Sequence, residues 1–277
     1  MIAAAQPAAD VVQRSKNLTG RDYLSVSAVK QYMRCPLSYR FRYIDGLAED
    51  TVSSALAFGR GIHASLELWF TCQLDGRPEP SIDDLLVEFW LEWRSCSEDT
   101  EIRFGKNEDA ISLGEQAKRM LLTFINNPAA RPSGTVIAIE EQLRSTLIAD
   151  APDILGRIDL GLETKNAVVI TDFKTARSRW SEAQRMDSEL QAVVYSELAK
   201  PIAGNKPIHV EFLVLTKTKT PAVDTVTLDL TPERTRRGLA MMSATWNAIE
   251  SGQFFPTPSI TACPSCAFKK QCSSWPD

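Results

Sequence analysis

Apolar residues recur at helical spacing through the first half of the chain and at strand spacing through much of the second. Residues 1 to 20 are rich in Ala, Gln and Asn with no sustained period, so a loose tail is expected through residue 22 and order from Tyr23 onward. Ser25 or Ser27 can cap a helix carrying Val29, Tyr32 and Met33. Cys35-Pro36 should interrupt it, because the residue before proline avoids the α region. A second helix then carries Tyr39 and Tyr43. Ala55 to Cys72, Ile82 to Trp93 and Leu113 to Ile125 also have helical periodicity. Beyond Thr135 the period shortens. Val136, Ile137 and Ile139 open a strand, Ile154 to Leu162 alternates as a second, and Val168 to Phe173 reads as a short buried third. Ser188 to Lys200 is helical, His209 to Thr216 and Thr225 to Leu230 are strand-like, and Thr231 to Ser251 is a helix opening with Pro232 and Glu233.

This order predicts an α/β fold, a mixed sheet flanked by helices, in one domain over residues 23–277 with a helical insertion over 74–127. At 277 residues and 44% hydrophobic content the chain can bury a sizeable core. No apolar run approaches the roughly 20 residues that cross a bilayer, and no basic stretch leads into an apolar one at the start. The expected location is therefore cytoplasmic, with no membrane partner. The net charge of −4 argues against a general nucleic-acid binder, but the average hides an asymmetry. Asp75 to Glu115 holds 12 acidic and 4 basic residues, so the rest of the chain is mildly basic.

The most informative stretch is Gly156-Arg157-Ile158-Asp159, followed after twelve residues by Asp172-Phe173-Lys174-Thr175. Two adjacent strands each deliver one carboxylate. The strand period of two puts Asp172 and Lys174 on one face and sends Phe173 to the other. Two carboxylates suit a hard divalent cation such as Mg²⁺, and a neighbouring lysine can position a water held by that ion. An ion pair between Asp159 and Lys174 across neighbouring strands is the plainer alternative, and spacing alone does not separate the two.

The arrangement resembles the PD-(D/E)xK nuclease superfamily, and especially its RecB-like branch, in which a Gly-x-x-Asp strand precedes Asp-Tyr-Lys-Thr. Phe173 stands here in place of Tyr, and Asp172 in place of the alternative Glu. Phe58-Gly59-Arg60-Gly61-Ile62-His63 resembles the branch's upstream motif, whose helix-borne histidine adds a metal ligand; this leaves His209, within an apolar strand, as structural. Gln191 and Tyr195 match the branch's Gln-x-x-x-Tyr motif, one helical turn apart on one face. The resemblance implies a restriction-endonuclease-like sheet and catalytic roles for Asp159, Asp172, Lys174, Gln191 and Tyr195. It implies Mg²⁺ or Mn²⁺ held by His63, Asp159, Asp172 and the main-chain carbonyl of Phe173. Glu140 or Glu141 is a further candidate for the polar cluster, and Arg177, Arg179 and Arg185 are candidates for phosphate contacts or for a solvated loop.

Cys263, Cys266 and Cys272 lie in a tail segment, 260–274, rich in Pro, Ser and Lys, with no apparent core of its own. Three close thiols and a distant fourth fit a Cys₄ site for zinc or an iron-sulfur cluster. Tyr32-x-x-Cys35-Pro36-x-x-Tyr39-x-x-x-Tyr43 resembles the amino-terminal motif of the iron-sulfur nucleases of the same branch, the AddB-type nuclease domains and four-cysteine CRISPR-associated exonucleases. That resemblance makes Cys35 the fourth ligand of a [4Fe-4S] staple between the two ends of the chain. Cys72 and Cys96 have no place in it and read as small buried side chains.

The expected activity is metal-dependent hydrolysis of single-stranded or frayed DNA by an exonuclease, in repair, recombination or CRISPR adaptation, with possible protein partners. A DNA-end-binding adaptor whose cutting depends on a partner, and a non-catalytic zinc-stapled DNA-binding module, are the alternatives.

Overall fold

The computed structural model describes residues 8–49, 51–98 and 100–276. By internal contacts the chain forms two compact units. One gathers residues 1–50, 142–156 and 230–277, and the other gathers 51–141 and 157–229.

The first unit contains helices α1 (Ala9–Thr19), α2 (Val26–Arg34), α3 (Pro36–Tyr43), α8 (Pro232–Glu250) and α9 (Lys269–Ser273), and the short strand β1 (Tyr23–Ser25). Helix α1 corrects the expected tail, of which residues 1–7 lie outside the described residues. It ends on Gly20 in the left-handed conformation, buries Val11 and Ser15, and its Arg14 pairs with Glu250 at 2.8 Å. A helix with so narrow an apolar face gives little periodic signal, and tertiary contacts hold it. Ser25 caps α2 by accepting the Ala28 N–H, and Cys35-Pro36 makes the break between α2 and α3. Tyr32 and Tyr39 pack edge to face at 5.5 Å, and the Tyr32 hydroxyl donates to the Gln253 carbonyl at 2.7 Å.

The second unit carries the sheet of interest. Most of strands β4 (Thr135–Ser145) and β5 (Asp153–Glu163) and all of β6 (Val168–Ala176), β7 (Ile208–Thr216) and β8 (Val223–Thr227) belong to it. There β5 pairs antiparallel with β6, β6 parallel with β7, β7 antiparallel with β8, and β4 pairs with β5, which makes the sheet mixed. Helix α7 (Glu182–Ala203) is the crossover that a parallel β6–β7 pair requires. Helices α4 (Ser54–Leu74), α5 (Ile82–Cys96) and α6 (Ala110–Ile125) bury Phe58, Ile62, Phe70, Phe89 and Phe124 with Phe173, Leu213 and Leu215 of the sheet. Two short strands, β2 (Thr51–Ser53) and β3 (Glu101–Arg103), pair in parallel beside them. The segment 74–127 thus supplies core, and its α5 and α6 are each longer than periodicity suggested. Gly61 is required at one crossing: a Cβ there would lie 2.6 Å from Phe89 Cδ2, so only glycine lets α4 approach α5 this closely.

Candidate metal centre and active site

The close α4–α5 packing decides which face of α4 is left over. Phe58, Ile62, Leu66, Trp69 and Phe70 go to the core, while Arg60, His63, Ala64 and Glu67 line a cleft of about 530 Å³. Across the cleft stand Glu140 of β4, Arg157 and Asp159 of β5, and Phe173, Lys174 and Thr175 of β6.

His63, Glu140 and Asp159 each offer a ligand atom within 4.8 Å of the others, the one such His/Cys/Asp/Glu group among the described residues. His63 Nδ1 lies 3.5 Å from Asp159 Oδ2, and that oxygen also accepts the Phe173 backbone N–H at 2.6 Å. Burial pulls the His63 pKa down, but the hydrogen bond it donates to Asp159 and the charges of Asp159 and Asp172 outweigh it, and the net shift is upward. Burial, then the charge of Asp159, pushes Glu140 up to about 7 despite its ion pair with Arg157. One neutral nitrogen donor and crowded carboxylate oxygens fit Mg²⁺ or Mn²⁺, and a divalent charge would relieve the repulsion that raises Glu140.

Glu140 is poorly visible in the sequence. Its backbone φ is 49°, inside a strand of non-glycine residues, and this strained turn breaks the alternation of β4. Glu140 is therefore half-buried beside Asp159 while Glu141 stays exposed, which separates two residues the sequence could not. Arg157, Arg60, Glu67 and Glu92 also belong to the cleft; the two arginines lie inside the quoted motifs without an assigned role, and the two glutamates lie outside them. Arg60 pairs with Glu92 at 2.5 Å.

Asp172 sits on the α7 side of β6, buried at 2% exposure. It is ion-paired with Lys174, and its Oδ1 accepts from Gln191 Nε2 at 2.7 Å. Burial raises the Asp172 pKa; the Lys174 ammonium opposes that rise. Lys174 thus pairs along its own strand with Asp172, not across to Asp159. Gln191 Nε2 also donates to the Tyr195 hydroxyl at 2.9 Å, and that hydroxyl donates to the Arg157 carbonyl at 2.7 Å. Tyr195 is raised well above the ordinary phenol range, first by burial and then by Asp172 and Asp159, so it remains a donor. The Gln-x-x-x-Tyr pair therefore ties the Asp172 carboxylate to the backbone of the Asp159 strand. Phe173 fills the opposite core and packs on His63 at 5.8 Å. His209 is exposed near the start of β7, a correction to its expected structural burial: the apolar run that suggested burial becomes covered only from Val210.

In the first unit, Cys35, Cys266 and Cys272 are half-buried and Cys263 is exposed. Burial, then the nearby Cys35, Cys266 and Cys263 thiols, raises the Cys272 pKa, and the Ser259 N–H donates to Cys263 Sγ at 3.2 Å. The tail segment is not without core: Phe268 is 2% exposed and packs on Phe41 at 5.8 Å. Cys72 and Cys96 are buried.

No curated protein sequence matches this one. Among solved structures, a protein from Eubacterium rectale named as a "putative exonuclease" is similar over 97% of this chain and 93% of its own, at 15% identity and a TM-score of 0.58. The structure of SSO0001 aligns over 89% of this chain and 94% of its own at 12% identity, with a TM-score of only 0.37. The first likeness supports the fold, and the second is too distant to add to it. The family model of the PD-(D/E)XK nuclease superfamily matches residues 23–273. A metal-suited carboxylate group on neighbouring strands and a match across nearly the whole chain agree: this protein belongs to the PD-(D/E)XK nuclease superfamily.

Proposed function

We propose that this nuclease is a Mg²⁺- or Mn²⁺-dependent exonuclease of the RecB-like type that acts on single-stranded or frayed DNA ends. The observation that carries the reading is the group of His63, Glu140 and Asp159 in one open cleft, with Lys174 on its wall ion-paired to the buried Asp172. His63, Glu140 and Asp159 would hold the ion, with Asp172 and the Phe173 carbonyl completing its shell. Such an ion supplies an activated water at neutral pH and charge for the developing phosphorane. Lys174, half-exposed at the cleft wall, orients the attacking water and offers its ammonium to the phosphate. Gln191 and Tyr195 hold Asp172 in register with the Asp159 strand, and the N–H of Phe173 fixes the Asp159 carboxylate. Arg157 and Arg60, both largely exposed at the cleft, receive the flanking phosphates.

The four thiols of Cys35, Cys263, Cys266 and Cys272 would hold a [4Fe-4S] cluster that joins the start and end of the first unit. Supporting this are the mutual influence of the thiols and the backbone donor to Cys263 Sγ. Its part is to stabilise the fold, not to transfer electrons. Processing of DNA ends in repair, recombination or CRISPR adaptation, with protein partners, is the setting that suits this activity.

End-labelled single-stranded and double-stranded DNA incubated with Mg²⁺, Mn²⁺ or EDTA tests the reading. Metal-dependent shortening from the ends, faster on single strands, is expected. Intact substrate under every metal condition would overturn it.

A further inference from the structure

The loop that follows the active strand carries a feature the catalytic reading leaves unused. Trp180 is partly exposed, and its ring lies 5.1 Å from that of Phe212 at a tilt of 41°. Phe212 is fully buried in β7, next in register to Asp172, and the Lys174 ammonium lies 5.7 Å from the centre of the same ring. Trp180 therefore stands no more than about 11 Å from the catalytic lysine by way of Phe212, roughly three nucleotides of stacked strand at ~3.4 Å each. It immediately precedes Ser181, the N-cap of α7, whose reciprocal capping contacts with Gln184 fix the loop end. Exposed cations surround it in sequence: Arg177, Arg179 and Arg185, of which Arg179 pairs with Asp224 at 3.3 Å.

A half-exposed indole braced from below, flanked by arginines and set beside a phosphate-handling lysine, has the composition of a single-strand stacking platform. We propose that Trp180 is a nucleobase-binding subsite, which stacks an unpaired base near the scissile phosphate and so favours single-stranded or frayed ends over intact duplex. The proposal rests on the nuclease reading and deepens it. A base within a duplex already has both faces stacked, whereas an unpaired base has a face to offer. Arg177, Arg179 and Arg185 hold the adjoining phosphates, and Phe212 keeps the indole from folding inward.

The test uses the full chain in EDTA, where nothing is cut, and short single-stranded oligonucleotides with 2-aminopurine at successive positions. Wild type and Trp180→Phe should quench the probe at one or two positions. Trp180→Leu, which keeps an apolar cover over Phe212 but has no ring to stack, should lose the quenching and bind about tenfold more weakly. Its affinity for blunt duplex should change little. Position-specific quenching that persists in Trp180→Leu, or none in wild type, overturns the subsite. Cleavage by wild type with Mg²⁺ or Mn²⁺, measured alongside, separates this from the nuclease reading: cutting without stacking removes only the subsite.

Discussion

Glu140 offers a sharp test of the metal centre, because its cost and its use have opposite signs. Its pKa rises from an ordinary 4.5 to about 7, largely through burial and then through Asp159. A shift of that size corresponds to about 3.4 kcal/mol at ~1.36 kcal/mol per unit. The cleft is open and its Arg157 partner is 57% exposed, so solvent screening reduces this to about 1–2 kcal/mol. The folded protein binds the extra proton between pH 4.5 and about 7, so metal-free stability falls as pH rises through that window. Glu140→Gln keeps the shape and loses the charge. In EDTA at pH 8 it should unfold roughly 3–6 °C above wild type, an offset that shrinks as pH falls through about 7 and closes only about a unit below the ordinary 4.5, where Glu140 is protonated in both folded and unfolded states. With saturating Mn²⁺ the order should invert, since wild type gains about 2.7 kcal/mol at a hundredfold excess over Kd and the variant loses a ligand. Thermal melts followed by tryptophan fluorescence at the two pH values, with EDTA or Mn²⁺, read all of this. The reasoning fails if Glu140→Gln melts at or below wild type in EDTA at pH 8, or if Mn²⁺ stabilises both proteins equally.

Asp172→Asn, which keeps an acceptor for Gln191, and Lys174→Ala should each abolish DNA cleavage while DNA binding in a gel-shift assay largely survives; normal cutting by both would remove this strand from the chemistry. His63→Ala should weaken metal binding more than it slows the metal-saturated reaction, and raised Mn²⁺ should partly rescue it; an unchanged calorimetric titration would return His63 to a purely structural role. Protein prepared without oxygen should absorb broadly near roughly 400 nm, and Cys35→Ser or Cys266→Ser should lose that absorption and lower stability, whereas Cys72→Ser should keep the colour. One zinc and no iron by elemental analysis would replace the cluster with a tetrahedral site.

Much of the candidate strand pair was legible because strand chemistry is local. A period of two places Asp172 and Lys174 together and sends Phe173 to the core, with no long-range information needed. The helical turn between Gln191 and Tyr195 likewise fixes one face, although the sequence does not say that this face meets Asp172 and the Arg157 carbonyl. Helix α1 was missed for the opposite reason: its narrow buried stripe of Val11 and Ser15 leaves almost no periodic mark.

By itself, then, the sequence determined the types of the strongly periodic elements, the carboxylate-bearing strands and the spacing of the thiols, since these depend on neighbours a few residues apart. Tertiary structure alone chose Glu140 over Glu141, through a positive φ within β4 that no composition records. It alone turned Arg157 towards Glu140, exposed His209, and set Trp180 on Phe212 beside the lysine. Those outcomes depend on contacts between segments distant along the chain, where packing density and charge, not periodicity, decide which side chain faces the cleft.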